Sequence, residues 1–252
     1  MTVAVVTIVA GRHEHLARQR VALPSATVHV VVAMRTCEAA ALRRTGADVV
    51  TLAPPEDPLP LARARNTGAA RAIELGAQLL VFLDVDCIPG PRLLERYGAA
   101  AAAAPGDLLC GPVAYLPPGE GPARPHPARP IPPEDSLVRG GDHRLFWSLS
   151  FALSRPTWER IGGFCEDYVG YGGEDTDFGQ LARSRAVGLT WVGGAWADHQ
   201  HHDSAPPAAR HRDAILANAA RFHARWGWWP MEGWLAELAA TAPAGSGPAP
   251  TA

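Results

Sequence analysis

The sequence predicts an α/β protein built on a mainly parallel sheet with helices over both faces. Two observations carry this. Short runs rich in valine and leucine alternate with helical segments that end in glycine, the order expected when parallel strands are joined by crossover helices. The runs are apolar throughout, as strands buried on both faces must be, rather than alternating with polar residues. At 252 residues, 47% of them hydrophobic and 19% charged, the chain can enclose one large core or two small ones.

Taken in order, Val3 to Val9 reads as a first buried strand, Glu14 to Val21 as a helix and Val28 to Ala33 as a second strand. Cys37 to Thr45 reads as a helix stopped by Gly46, at the position where a left-handed residue closes a helix, and Val49 to Leu52 as the third strand. Arg63 to Leu75 is a longer helix closed by Gly76, followed by QLLVFLDVD, a strand whose apolar run ends in acids. Ligands of such sheets sit at the carboxyl ends of the strands, where Asp84 and Asp86 fall. Leu93 to Ala104 is an alanine-rich helix. Leu116 to Pro133 is so rich in proline and glycine that it reads as a loop, mobile or functional at that length. Leu145 to Leu153 reads as a strand, Pro156 to Ile161 as a short helix, Asp175 to Arg185 as a helix and Leu189 to Val192 as a strand. Ala208 to Trp226 and Met231 to Ala240 are the closing helices, and APAGSGPAPTA is a disordered tail.

A net charge of −2 recruits neither nucleic acid nor an anionic membrane. The first apolar run is too short to span a bilayer, and its charges follow it rather than precede it as in a signal peptide. Four cysteines without ligand spacing suggest reduced thiols in the cytoplasm. All 23 basic residues are arginine. Without lysine, neither a P-loop nor a pyridoxal phosphate Schiff base can be built.

Three stretches carry candidate chemistry. In FLDVDCIP, alternate strand residues share a face, so Asp84 and Asp86 could together hold a hard divalent cation, or simply form a solvated strand end. His199, His201 and His202 follow a strand, and an imidazole could complete a metal shell begun by carboxylates, which suits Mn²⁺. Spacing alone does not choose among them. In YVGYGGEDTDF, Glu174, Asp175 and Asp177 crowd the start of a helix behind Gly172 and Gly173. They either complement the helix dipole or aim a carboxylate at a substrate that the glycines admit close to the backbone.

Together FLDVDCIP, WSLSFALSRPTWERIGGFCEDYVGYGGEDTDF and AWADHQHH resemble the metal-dependent nucleotide-sugar glycosyltransferases of the GT-A fold. The similarity is to bacterial family 2 enzymes and to the carboxyl-terminal half of the β-1,4-galactosyltransferases and polypeptide N-acetylgalactosaminyltransferases. The resemblance covers roughly Val3 to Leu238. It implies a Rossmann-like nucleotide-sugar-binding half at 1–115, a Pro/Gly-rich loop at 116–134, an acceptor and catalytic half at 135–241, and the tail at 242–252. By the same resemblance Asp84 contacts the donor ribose or the metal, Asp86 is a direct metal ligand, and His199 completes the site, with His201 and His202 as second choices. Asp175 matches a catalytic base and Glu174 a residue that orients sugar hydroxyls. Tyr171 matches an aromatic that packs on sugars, and Arg65 and Asn66 an Arg-Asn pair near the nucleotide base. The stretch VVAMRTC lacks the acid that many relatives carry just after the second strand.

The implied reaction is an inverting, Mn²⁺- or Mg²⁺-dependent transfer from a nucleotide diphosphate sugar, UDP-linked by the resemblance, to a hydroxyl on a glycan, glycolipid or small molecule. A retaining transferase of the same fold and a non-catalytic nucleotide-sugar-binding protein are the alternatives. A nucleotidyltransferase would need a glycine-rich loop after the first strand, and VAGRHEHLARQ has one glycine. All eight tryptophans follow residue 146. Trp147, Trp158 and Trp196 are candidate acceptor contacts, and Trp226, Trp228, Trp229 and Trp234 packing residues.

Overall fold

The strands run Val3–Val9 (β1), Val28–Ala33 (β2), Asp48–Thr51 (β3) and Leu79–Leu83 (β4), then Cys87–Pro89 (β5), Leu108–Cys110 (β6), Val113–Tyr115 (β7) and Arg124–Pro125 (β8). Leu137–Arg139 (β9), Ser150–Ser154 (β10), Leu189–Val192 (β11) and Ala197–His199 (β12) complete them. The computed structural model describes residues 1–53, 57–202 and 210–240. The expected tail at 242–252 and the first residues of the expected 208–226 helix lie outside the described residues.

An eight-stranded sheet has the order β3-β2-β1-β4-β10-β6-β11-β9. The strands β1 to β4 are parallel, as their apolar runs predict, whereas β10 enters antiparallel between β4 and β6. Alternation along β4 explains why no polar face exists. Leu80 and Phe82 enter a core with Phe151, Trp158, Phe164 and Phe178, while Leu79, Val81 and Leu83 enter another with Tyr97 and Leu109. Helices cover both faces: His13–Ala22 (α1), Ala39–Arg43 (α2) after a 3₁₀ turn at Thr36–Glu38, Leu61–Glu74 (α3), Leu93–Ala103 (α4), Arg155–Ile161 (α5) and Glu174–Ser184 (α6). Two more follow, Arg212–Trp226 and Glu232–Ala240.

A second sheet, β5-β12-β7-β8, stands at the carboxyl end of β4. Its strands have two or three residues each, too few for a period to show in the sequence. The expected loop at Leu116 to Pro133 is therefore not wholly irregular. Arg124–Pro125 pairs with β7, and Arg129 is only 4% exposed. The expected strand at Leu145 to Leu153 is also corrected: His143–Leu145 is a 3₁₀ turn, and regular pairing starts at Ser150.

Asp177, expected to be an ordinary first-turn acid, is fully buried. It accepts from Arg225 at 2.9 and 3.1 Å, from Trp226 Nε1 at 2.7 Å and from the Tyr168 hydroxyl at 3.1 Å. The charge thus anchors helix Arg212–Trp226 to the start of α6. Breaking a buried pair costs more than losing a dipole contact, which is worth under about 1 kcal/mol. Asp177→Asn should lower stability by about 2–4 kcal/mol in urea denaturation, Arg225 keeping some access to water. A loss within about 1 kcal/mol would restore the dipole-acid reading.

Candidate active site

Asp84 and Asp86 do not share a strand face, because β4 ends at Leu83 and the two acids lie in the turn that leads to β5. Cys87 N donates to Asp84 O at 2.8 Å, closing that turn. Gln19 of α1, wholly buried, donates to the carbonyls of Asp84 and Cys87 at 2.8 and 2.9 Å. The turn is thus gripped from below, and its two side chains diverge.

Asp86 faces the histidines. In the antiparallel β5–β12 pair, His199 stands opposite Cys87, and Gln200 N donates to Asp86 O at 2.7 Å. This register brings His199 Nε2 to 3.5 Å and His202 Nε2 to 3.4 Å from Asp86 Oδ2. One ligand atom from each of Asp86, His199 and His202 lies within 4.8 Å of the others. His201 is exposed and is not part of this cluster, and its carbonyl meets His15. The set fits a divalent cation: one carboxylate and two imidazoles suit a borderline metal, and the Arg12 guanidinium already contacts Asp86 Oδ2 as a cation. Burial alone would raise the Asp86 carboxyl, but His202, His199 and Arg12 hold it below the ordinary value.

Asp84 turns instead toward Arg65, which donates to its Oδ1 at 3.2 Å and to Glu174 Oε1 at 2.9 Å. Arg65 is 5% exposed, so one buried guanidinium joins α3, the β4–β5 turn and α6. Burial pushes the Asp84 carboxyl up against the opposing pull of Arg65. Burial beside Asp175 pushes Glu174 up to about 7, and its Oε2 is buried without a hydrogen-bond partner among the described residues. The Asn66 amide is spent inside the protein, on the Phe164 backbone at 2.8 and 2.9 Å and on Glu166 at 2.8 Å. It clamps the loop before α6.

Asp175 is partly exposed. Its Oδ1 accepts from Thr176 N at 2.7 Å, a helix-end amide, so this oxygen serves the helix terminus. Among the described residues its Oδ2 receives only Ser148 N, at 3.3 Å. Gly172 and Gly173 have φ of 95° and 88°, a region that favours glycine. A Cβ on Gly172 would meet Met231 Sδ at 2.8 Å, and one on Gly173 would meet Tyr168 at 3.4 Å. Backbone conformation therefore favours glycine at both positions, and packing against Met231 adds to this at Gly172. Tyr171 is 37% exposed, stacks on His211 at 4.9 Å and lies tilted against Trp234 at 5.5 Å.

Of the candidate tryptophans, Trp158 packs in the core on Phe82, whereas Trp147 lies against His126 at 5.1 Å and Trp196 reaches Glu134. Sequence reasoning missed Glu38. This acid lies in the turn after β2, accepts from Gly11 N at 2.8 Å, and keeps Oε2 buried 3.8 Å from His13 Nε2, without a hydrogen-bond partner among the described residues. Its signal was the single acid just beyond VVAMRTC.

Residues 142–201 match the family described as N-terminal domain of galactosyltransferase. Two relatives, the validoxylamine A glucosyltransferases of Streptomyces hygroscopicus subsp. jinggangensis (strain 5008) and subsp. limoneus, are 30% identical over 193 residues. The match covers 64% of this chain and 44% or 41% of theirs, so the chain spans under half the length of these relatives. Among solved structures, GalNAc-T7 with UDP, GalNAc and Mn²⁺ superposes with a TM-score of 0.65 at 16% identity, over 96% of this chain and 51% of that one. S. aureus TarS 1-349 superposes with a TM-score of 0.59 at 14% identity, over 88% and 66%. The chain has the GT-A fold of the glycosyltransferases, with a galactosyltransferase-like segment that carries Glu174, Asp175 and His199.

Proposed function

We propose that the chain transfers a sugar from a UDP-linked donor to a hydroxyl acceptor with inversion at the anomeric carbon, in the cytoplasm and with Mn²⁺ or Mg²⁺. The observation that supports this best is the meeting of Asp86, His199 and His202 with Asp84, Arg65, Glu174 and Asp175 at one end of the sheet. The validoxylamine A glucosyltransferase relatives make a glucosyl donor, with validoxylamine A as acceptor, the first to test. Among the described residues no helix is long and apolar enough to cross a membrane.

In this reading Asp86, His199 and His202 hold the cation, His202 joining the choice made from sequence. When bound, the cation stabilises negative charge on the departing diphosphate. Glu38 replaces the missing acid, its Oε2, 3.8 Å from His13 Nε2 and without a hydrogen bond among the described residues, taking a hydroxyl or N–H of the nucleoside. Asp84 contacts the ribose while Arg65 keeps it in place. Glu174 offers its unpartnered Oε2 to a sugar hydroxyl, and Tyr171 packs on a sugar face. Asp175 Oδ2 takes the acceptor proton, since its one contact is long and its side chain is reachable. Asn66 acts as a clamp on the loop rather than on the base.

Incubation with UDP-glucose, Mn²⁺ and candidate acceptors, followed by proton NMR, tests the function. A β-linked product from the α-linked donor is expected, and an α-linked product would make the enzyme retaining. Asp175→Asn should reduce turnover by about 10²- to 10⁴-fold with donor affinity nearly intact, because the amide keeps the shape but cannot take a proton. Turnover above a tenth of wild type would leave Asp175 as helix chemistry.

Glu174 makes a pH prediction. A carboxyl raised from 4.5 to about 7 holds its proton more firmly in the native state, so stability falls as pH rises across that window. Glu174→Gln should flatten the slope of unfolding free energy between about pH 5 and 7. An unchanged slope would show that Glu174 ionises normally.

A further inference from the structure

Arg129 lies in the Pro/Gly-rich stretch, yet its guanidinium is buried, and among the described residues it has no ion pair with a carboxylate. Among the described residues its hydrogen bonds go to backbone carbonyls alone, and its guanidinium lies over the Trp191 ring at 5.8 Å from the centroid. Nη1 donates to Gly111 O at 2.9 Å and Ser150 O at 3.1 Å, and Nη2 donates to Trp147 O and to Ser148 O at 3.4 Å. A planar fork suits such a spread, which a compact ammonium cannot span.

The opposite ends of the same peptide groups face the acids. In a trans peptide the C=O and the following N–H point in opposite directions. Drawing Trp147 O toward Arg129 therefore turns Ser148 N away from it, and drawing Ser148 O turns Leu149 N away. Those two amides donate to Asp175 Oδ2 at 3.3 Å and Asp84 Oδ2 at 3.2 Å. Leu149 also accepts from Asp84 N at 2.9 Å, and it is held at φ 37°, a left-handed value uncommon for a non-glycine residue. Something must hold that conformation, and Arg129 grips the carbonyls on both sides of it.

We propose that Arg129 is a positioning residue: by gathering the carbonyls of Trp147, Ser148 and Ser150 it aims the Ser148 and Leu149 amides at Asp175 and Asp84. Its effect on turnover rests on the transfer reading above, but its effect on the amides does not. The segment reads as a strand in the sequence, and only a cation reaching in from the neighbouring loop makes it a pair of donors aimed at two carboxylates.

The test compares wild type, Arg129→Lys and Arg129→Gln. In ¹H–¹⁵N spectra, Asp175→Asn should shift the Ser148 amide resonance in the wild-type background, and adding Arg129→Lys should cut that response by more than half. Arg129→Lys should lower kcat tenfold or more while the donor KM changes less than twofold, a split that loss of stability alone does not give. A Ser148 amide as responsive in Arg129→Lys as in wild type, or an unchanged kcat, overturns the proposal. Should neither Arg129 variant fold, a Ser148 amide indifferent to Asp175→Asn in the native background overturns it, and a shifted one supports it. If the wild type turns over no nucleotide sugar, the transfer reading fails, and the amide response still decides the role of Arg129.

Discussion

The site depends first on the guanidinium of Arg65, held inside the protein between Asp84 and Glu174. A buried charge must be paired, and removing one partner of such a group costs far more than losing a surface salt bridge. Because Arg65 rides on α3, Asp84 on the turn after β4 and Glu174 on α6, this need locks three segments far apart in the chain at one point. Asp175 and Tyr171 are neighbours of Glu174 and inherit that position. Asp86 is two residues from Asp84 and inherits it as well.

The charges gathered there leave the protein short of cations. Asp84, Asp86, Glu174 and Asp175 are offset nearby by Arg65 and Arg12, and the two imidazoles at Asp86 are ligands when neutral. Glu174 answers by holding its proton up to about pH 7. A bound divalent cation would answer in the same sense at Asp86. The small second sheet makes that possible, since only the pairing of β12 with β5 carries His199 and His202 to the turn after β4.

Much of this was legible in the residues. The strands β1 and β2 fall at the predicted boundaries because long valine-rich runs admit no other reading, and the acids after β4 stand where ligands of such sheets bind. What stayed hidden depends on non-local pairing. Strands of two or three residues carry no period, so the β5–β12 register that selects His199 and His202 over His201 was not readable. Asp177 and Arg129 stand in stretches that read as surface helix and loop, and partners 48 residues and about 20 residues away bury them. The glycine pair was legible as special, while its left-handed backbone and the place of Met231 beside Gly172 were not, because the sequence does not show which way an absent Cβ would point.

The central claim is that this constellation binds a nucleotide diphosphate through a divalent cation. Calorimetric titration of UDP with and without Mn²⁺ tests it most directly, in wild type and in Asp86→Ala, His199→Ala and His202→Ala. The account predicts binding that requires Mn²⁺ in wild type and weakens about tenfold or more in each variant, as loss of a metal-site interaction does. Equal UDP affinity with and without Mn²⁺, unchanged in all three variants, would contradict it.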